Sequence, residues 1–257
     1  MRLRCLPTLC LATFLLLVAC APVPYTGRSR LLLTSEQEEV AMGLQAYPEL
    51  IKKYKVIPSG PQVDMVNRIM KKLAAEDPRN YDWEVKLLDA PDVANAWALP
   101  GGKMAVYTGL IPMTQNEAGL AAVMGHEMGH AIARHSGERM SQEMVQNAGL
   151  IMAAVTLEDQ KYRNEIMAAL GVGLEFGVTL PYSRAHEYEA DEIGLILLVK
   201  AGYDPYESVR LWDRMAARAR TEPIEFFSTH PNSSNRARRL ESLIPGIVAT
   251  YGKGQPK

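Results

Sequence analysis

His126-Glu127-Met128-Gly129-His130 is the stretch on which the reading of this chain turns. Two histidines four residues apart, with a glutamate after the first, make the pattern HExxH. On an α-helix four residues advance about 400° at about 3.6 residues per turn, so both imidazoles face one way. Two imidazoles on one face can hold a zinc ion. Glu127, one step round, can then take a proton from the water that the ion activates. The flanks predict the helix: Gln115 to Met124 leads in and Ala131 to His135 leads out, without proline and rich in Ala, Leu, Met and Ile. In a chain with only five histidines, a chance match is disfavoured.

A hydrolytic zinc takes three protein ligands and keeps one position open. The extended pattern HExxHxxGxxH fails, because Ala133 stands where the glycine should be and Ser136 where the third histidine should be. His135 misses by one residue; on a continued helix it lies about 180° round from His126 and reads as a packed or ligand-supporting residue. The alternative is a glutamate on a later helix. Ser183-Arg184-Ala185-His186-Glu187-Tyr188-Glu189-Ala190-Asp191 offers three acids. Glu187 and Asp191 share a helix face, whereas Glu189 points about 200° away from Glu187. Glu187 is therefore expected as third ligand. Asp191 is expected to take the other N–H of a ligating histidine and so fix its tautomer. A solvated acidic helix pairing with Arg184 is the plain alternative, and the HExxH upstream weighs against it.

The amino terminus predicts a targeting segment. Arg2 and Arg4 precede an apolar run from Leu9 to Ala19. That run is short for a bilayer span, which needs about 20 residues, and fits a signal peptide. Leu17-Val18-Ala19-Cys20 resembles a bacterial lipobox, in which the cysteine is lipidated after cleavage. The expected division is a leader at 1–19, a lipidated tether at 20–34 containing Pro22, Pro24 and Gly27, a peptidase domain at 35–252 and a tail at 253–257. Ala21 after Cys20 points to the outer membrane by similarity to lipoprotein sorting, so the expected location is the periplasmic side of a bacterial envelope. All three cysteines lie at or before residue 20, leaving no disulfide and no thiolate ligand in the domain. Without Arg2 and Arg4, the 28 basic residues become 26 against 29 acidic ones, a net charge of −3 that gives no footing for nucleic acid.

Around the motif the pattern is α+β and predominantly helical. Ser35 with Glu38 forms a capping-box signature. Helices are expected over 35–54 and 61–76, broken by Pro58-Ser59-Gly60-Pro61. Strands are expected over 83–88, 95–99 and 104–108, with Pro100-Gly101-Gly102 turning the last two into a hairpin. The remainder reads as helix. Residues 150–155 and 166–180 are apolar but short for membrane spans, and Glu175 interrupts the second, so core or cleft helices are expected.

Four motifs in order carry a family likeness: Asn95-Ala96-Trp97-Ala98-Leu99-Pro100-Gly101-Gly102, HExxH, the segment from Ser183 to Asp191, and Ser228-Thr229-His230-Pro231. The set resembles the zinc metallopeptidases of the HtpX and CAAX-prenyl-protease type over roughly residues 25–245, most closely their soluble periplasmic lipoprotein branch. The resemblance implies a zincin-like gluzincin domain with a small sheet beside the HExxH helix. It implies one Zn2+ on His126, His130 and Glu187, and Glu127 as general base. Asn95, Ala96 and Trp97 (where the family often has Phe) would lie on a strand edge that pairs with an extended peptide. His230 is left with two roles, oxyanion donor or a further ligand that closes the site, and Arg236 is either its helper or a solvated arginine. The expected function is a lipid-anchored zinc metalloendopeptidase acting on misfolded or unassembled envelope proteins. The alternative is an assembly factor or chaperone of outer-membrane proteins with latent proteolysis.

Overall fold

The computed structural model describes residues 20–156, 182–231 and 235–252. Strands β1 (Cys20–Pro22) and β2 (Ser29–Leu31) form an antiparallel hairpin. Helix α1 (Glu36–Ile51) starts at Ser35 with the expected capping box: the Ser35 hydroxyl accepts from the Glu38 amide and the Glu38 carboxylate accepts from the Ser35 amide. Strand β3 (Lys55–Val56), helix α2 (Pro61–Ala74) and strands β4 (Glu84–Asp89), β5 (Ala96–Leu99) and β6 (Lys103–Tyr107) follow. A 3-10 turn leads to the short α3 (Ile111–Thr114), and then come α4 (Glu117–Ile132) and α5 (His135–Thr156). The last part holds α6 (Arg184–Ala201), α7 (Tyr206–Arg218), the one-turn α8 (Phe226–Thr229) and α9 (Arg236–Tyr251). The fold is mostly helical with a small mixed sheet, as the sequence predicts.

The main sheet runs β3-β4-β6-β5, with β4 and β6 parallel and the outer strands antiparallel to their neighbours. Gly101 and Gly102 turn β5 into β6 at φ +86° and +90°, a region that costs glycine nothing. Because side chains alternate along a strand, Val85, Leu87, Ala96, Met104 and Val106 face the helical core, while Leu88, Ala105 and Tyr107 face the opposite side. β5 is an edge strand and packs against α4.

Helix α4 is the centre of the molecule, buried at every position from Gly119 to Ile132. It crosses α6 at unusually close range. A methyl group at Gly129 would sit 2.7 Å from the Ala190 carbonyl oxygen, and one at Gly194 would sit 2.8 Å from the His126 amide nitrogen. Glycine at these points lets the two backbones touch, which puts the HExxH face against the acidic face of α6.

Two expectations change. α4 does not run through His135: it ends at Ile132, and Arg134 adopts φ +53° before α5 begins. Cationic side chains cover the freed carbonyls; Arg79 Nε donates to the Ile132 oxygen at 2.5 Å and Arg30 donates to the Ala133 oxygen. Residues 20–34, expected as a tether, include the β1–β2 hairpin. The β1–β2 hairpin lies on the domain, with Val23 in the core, the Tyr25 hydroxyl donating to the Glu76 carbonyl at 2.7 Å and Arg28 bonded to both Glu138 and Glu189. Among the described residues no helix is long and apolar enough to cross a membrane. Residues 150–155 belong to α5, and the apolar stretch at 166–180 lies outside the described residues.

Candidate active site

Side-chain caps fix where the two site-bearing helices begin. Asn116 Oδ1 accepts from the Gly119 amide at 2.8 Å to start α4, and the Ser183 hydroxyl accepts from the His186 amide at 3.2 Å to start α6. On α4 the Nε2 atoms of His126 and His130 come within 3.1 Å of each other. Glu187 on α6 presents Oε1 at 3.4 Å from His130 Nε2 and Oε2 at 3.5 Å from His126 Nε2. His230, just past α8, brings Nδ1 to 3.2 Å from Glu187 Oε1 and 3.3 Å from His126 Nε2. One ligand atom from each of these four buried residues lies within 4.8 Å of the others.

The outer nitrogens of the two α4 histidines are already engaged. His126 Nδ1 lies 3.0 Å from Asp191 Oδ1, and His130 Nδ1 lies 2.9 Å from His135 Nδ1. That leaves both Nε2 atoms, with a carboxylate, aimed at one buried point. Two imidazoles and a carboxylate make a donor set suited to zinc, so these residues fit the ion. Burial pushes His130 well below the ordinary imidazole value, favouring the neutral form that ligates. Burial lowers His126 too, but hydrogen bonds to Asp191 and Glu187 override it and raise that ring to about 9. Burial raises Glu187, and the His126, His130 and His230 rings gathered around it outweigh that and hold it ionised.

Glu127 faces the same space. Among the described residues its Oε1 has no hydrogen-bond partner; it lies 3.4 Å from His230 Nε2, and burial pushes its carboxyl up. A buried carboxylate with a free oxygen and a raised pKa is suited to receiving a proton and passing it on.

The sequence leaves Arg236 open between helper and solvated residue. The structure buries it to 1% exposure. Its Nε and Nη2 bind Asp191 at 2.8 and 2.6 Å, its Nη1 lies 2.7 Å from Glu187 Oε2, and its guanidinium sits 3.6 Å over the Trp212 ring. Nothing in the run Arg236-Ala237-Arg238-Arg239 marks the first arginine as buried. Aromatic packing was equally invisible: Tyr182 stacks on His130 at 3.9 Å and Phe226 on His230 at 4.3 Å.

Of the residues expected along the substrate strand, Asn95 and Ala96 lie where β5 meets the helical core. The Asn95 carbonyl accepts from the Tyr107 amide at 3.1 Å, and Ala96 is buried on the α4 side of the sheet. Just ahead of them, the Ala94 carbonyl accepts from the Phe226 amide at 3.1 Å, which ties the His230 segment to the start of β5. Trp97 is not brought to the site. One residue on from Ala96, it faces the other side of the sheet, where Nε1 donates to the Tyr107 hydroxyl at 3.1 Å and the ring meets Tyr47 edge-on.

With this geometry in place, the family model described as peptidase family M48 matches residues 62–244, most of the chain and all four clustered residues. The chain belongs to peptidase family M48. An M48 enzyme is a metal-dependent peptidase, which is the chemistry the cluster fits. Among its relatives, "Mitochondrial metalloendopeptidase OMA1" of Schizosaccharomyces pombe is 36% identical over 87% of this chain and 66% of that protein. "Metalloprotease YcaL" of Escherichia coli is 32% identical over 65% of this chain and 63% of that protein. "Putative beta-barrel assembly-enhancing protease" of Vibrio cholerae is 29% identical over 58% of this chain and 34% of that protein. The chain thus spans just under two thirds of the fission-yeast relative's length. These matches overturn the expected bacterial periplasmic location: the relatives from S. pombe and Saccharomyces cerevisiae, which reach over 87% and 89% of this chain, are named mitochondrial.

Proposed function

We propose that this M48 chain is a zinc metalloendopeptidase that cuts misfolded or unassembled polypeptides. The observation that carries the reading is the convergence of His126, His130 and Glu187 on one buried point with the unpartnered Glu127 oxygen beside it. Zinc held there would supply a Lewis acid that polarises the scissile carbonyl and acidifies water to near neutral pKa. Glu127 accepts the proton and delivers it to the leaving amine. Asp191 holds the ligating His126 ring by its outer nitrogen. The outer edge of β5, which pairs with no strand among the described residues, lies next to α4 and would give an extended peptide main-chain partners with little demand on its side chains, which suits unfolded substrates.

A second reading has its own observation. His230 already stands among the ligands, and its segment is tied at both ends, by Phe226 to the Ala94 carbonyl and by the Thr229 carbonyl to the Tyr182 amide at 3.0 Å. That closed arrangement supports a latent peptidase whose main work is assisting assembly, the activity in the V. cholerae relative's name.

Incubating the full chain with an unfolded protein, with and without a zinc chelator, and alongside Glu127→Gln, separates the two. Chelator-sensitive cleavage abolished in E127Q, with zinc still bound, supports the peptidase. No cleavage by the wild-type chain, together with full assembly-supporting activity in E127Q, makes the latent reading the main one.

A further inference from the structure

His135 is not among the clustered ligands and the mechanism assigns it no chemistry, yet it is fully buried against one of them. Its Nε2 lies 3.0 Å from Glu189 Oε2 and its Nδ1 lies 2.9 Å from His130 Nδ1. The carboxylate can only accept, so His135 donates from Nε2 and keeps a lone pair on Nδ1. His130 must then donate from Nδ1, which leaves the lone pair of its Nε2 pointing at the metal position. One chain of hydrogen bonds thus selects the tautomer of His130 that can ligate.

The far end of this chain leads to the hairpin. Glu189 also accepts from Thr26 Oγ1 at 2.5 Å and from Arg28 at 2.8 Å through Nε and 2.6 Å through Nη2. Arg28 in turn grips Glu138 at 2.9 and 2.6 Å. Glu138 and His186 face His135 from α5 and α6, the His186 ring stacking on it at 4.4 Å.

We propose that His135 is the positioning residue for the ligand His130, and that the β1–β2 hairpin, through Arg28 and Thr26 on Glu189, holds it in place. The proposal rests on the zinc-site reading above and adds a link between that site and a segment more than a hundred residues earlier in the chain.

The test measures zinc affinity of the full chain by competition with a chromophoric chelator. His135→Asn keeps an acceptor oxygen near the Nδ1 position, whereas His135→Gln moves it out towards Glu189. Loss of an outer partner of a ligating histidine weakens metal binding by about 10–100-fold, so that loss is expected for H135Q, with H135N close to wild type. Arg28→Gln is expected to weaken zinc binding less than H135Q. In the metal-free wild type, side-chain 1H–15N spectra should show His130 protonated at Nδ1, a signature that mere packing would not set. If H135Q and wild type bind zinc equally, or His130 carries its proton on Nε2, the inference falls while the site stands. A wild-type chain that binds no zinc removes both.

Discussion

Arg236 and Asp191 are joined by two parallel charge-assisted hydrogen bonds, 2.8 and 2.6 Å long, with neither side chain open to solvent. The same guanidinium reaches Glu187 at 2.7 Å. One cation therefore neutralises both carboxylates that α6 brings to the site. Removing one partner of a buried pair strands the other charge and costs about 3–5 kcal/mol. Arg236→Ala should lose stability of that order in chemical denaturation and lose peptidase activity with it. Arg236→Lys keeps the charge but not the fork, so it should recover only part of the loss.

The crossing of α4 and α6 is the next point of fragility. Gly194→Ala would press a methyl group to within 2.8 Å of the His126 amide nitrogen, backbone that cannot move aside cheaply. Overpacking of this kind costs about 1–3 kcal/mol. The shift it forces also separates Glu187 from His126, so zinc affinity should fall in G194A even in molecules that remain folded. Equal zinc affinity in G194A and wild type would show that the close approach matters to packing alone.

His230 fills the fourth place in the cluster, with Phe226 stacked on its ring. His230→Ala opens that place to water. The expected result is weaker zinc retention and several-fold faster cleavage of an unfolded substrate. Slower cleavage with unchanged zinc content would instead assign His230 to the reaction as a donor to the developing oxyanion.

Acid should loosen the hairpin before it unfolds the domain. Glu138 is raised by burial, but hydrogen bonds from Arg28 and His186 outweigh that and hold it below its ordinary 4.5. A carboxyl depressed in the folded state contributes stability that is complete above its unfolded value and fades as the pH falls towards its folded one. Backbone hydrogen exchange in β1 and β2 should therefore be flat above about pH 5 and accelerate below about pH 4.5. Replacing Glu138 by Gln should flatten that rise.

Much of the site was legible because ligand spacing and helix geometry are the same constraint. His126 and His130 had to share a face once Gln115 to Met124 read as helix, and Glu187 and Asp191 followed by the same period. What escaped reading had physical reasons. The helix break at Ala133 and Arg134 carries neither proline nor glycine, so no letter in the sequence warns that a helical wheel stops short of His135. Pro22, Pro24 and Gly27 look like a linker, and only tertiary partners, Glu138 and Glu189, make the segment a docked hairpin. A buried Arg236 has the same letters around it as a solvated one. Motif position groups Trp97 with Asn95 and Ala96, while strand alternation decides which side it occupies.

Of the four side chains that meet at the metal position, two come before residue 131 and two after residue 186. A chain being synthesised owns both imidazoles and Glu127 long before Glu187 exists, and Glu187 reaches them only when Gly129 and Gly194 have let the two helices close. The complete donor set thus depends on the close packing of α4 against α6. A copy that stops short of Glu187 carries the HExxH letters without the carboxylate that completes the cluster.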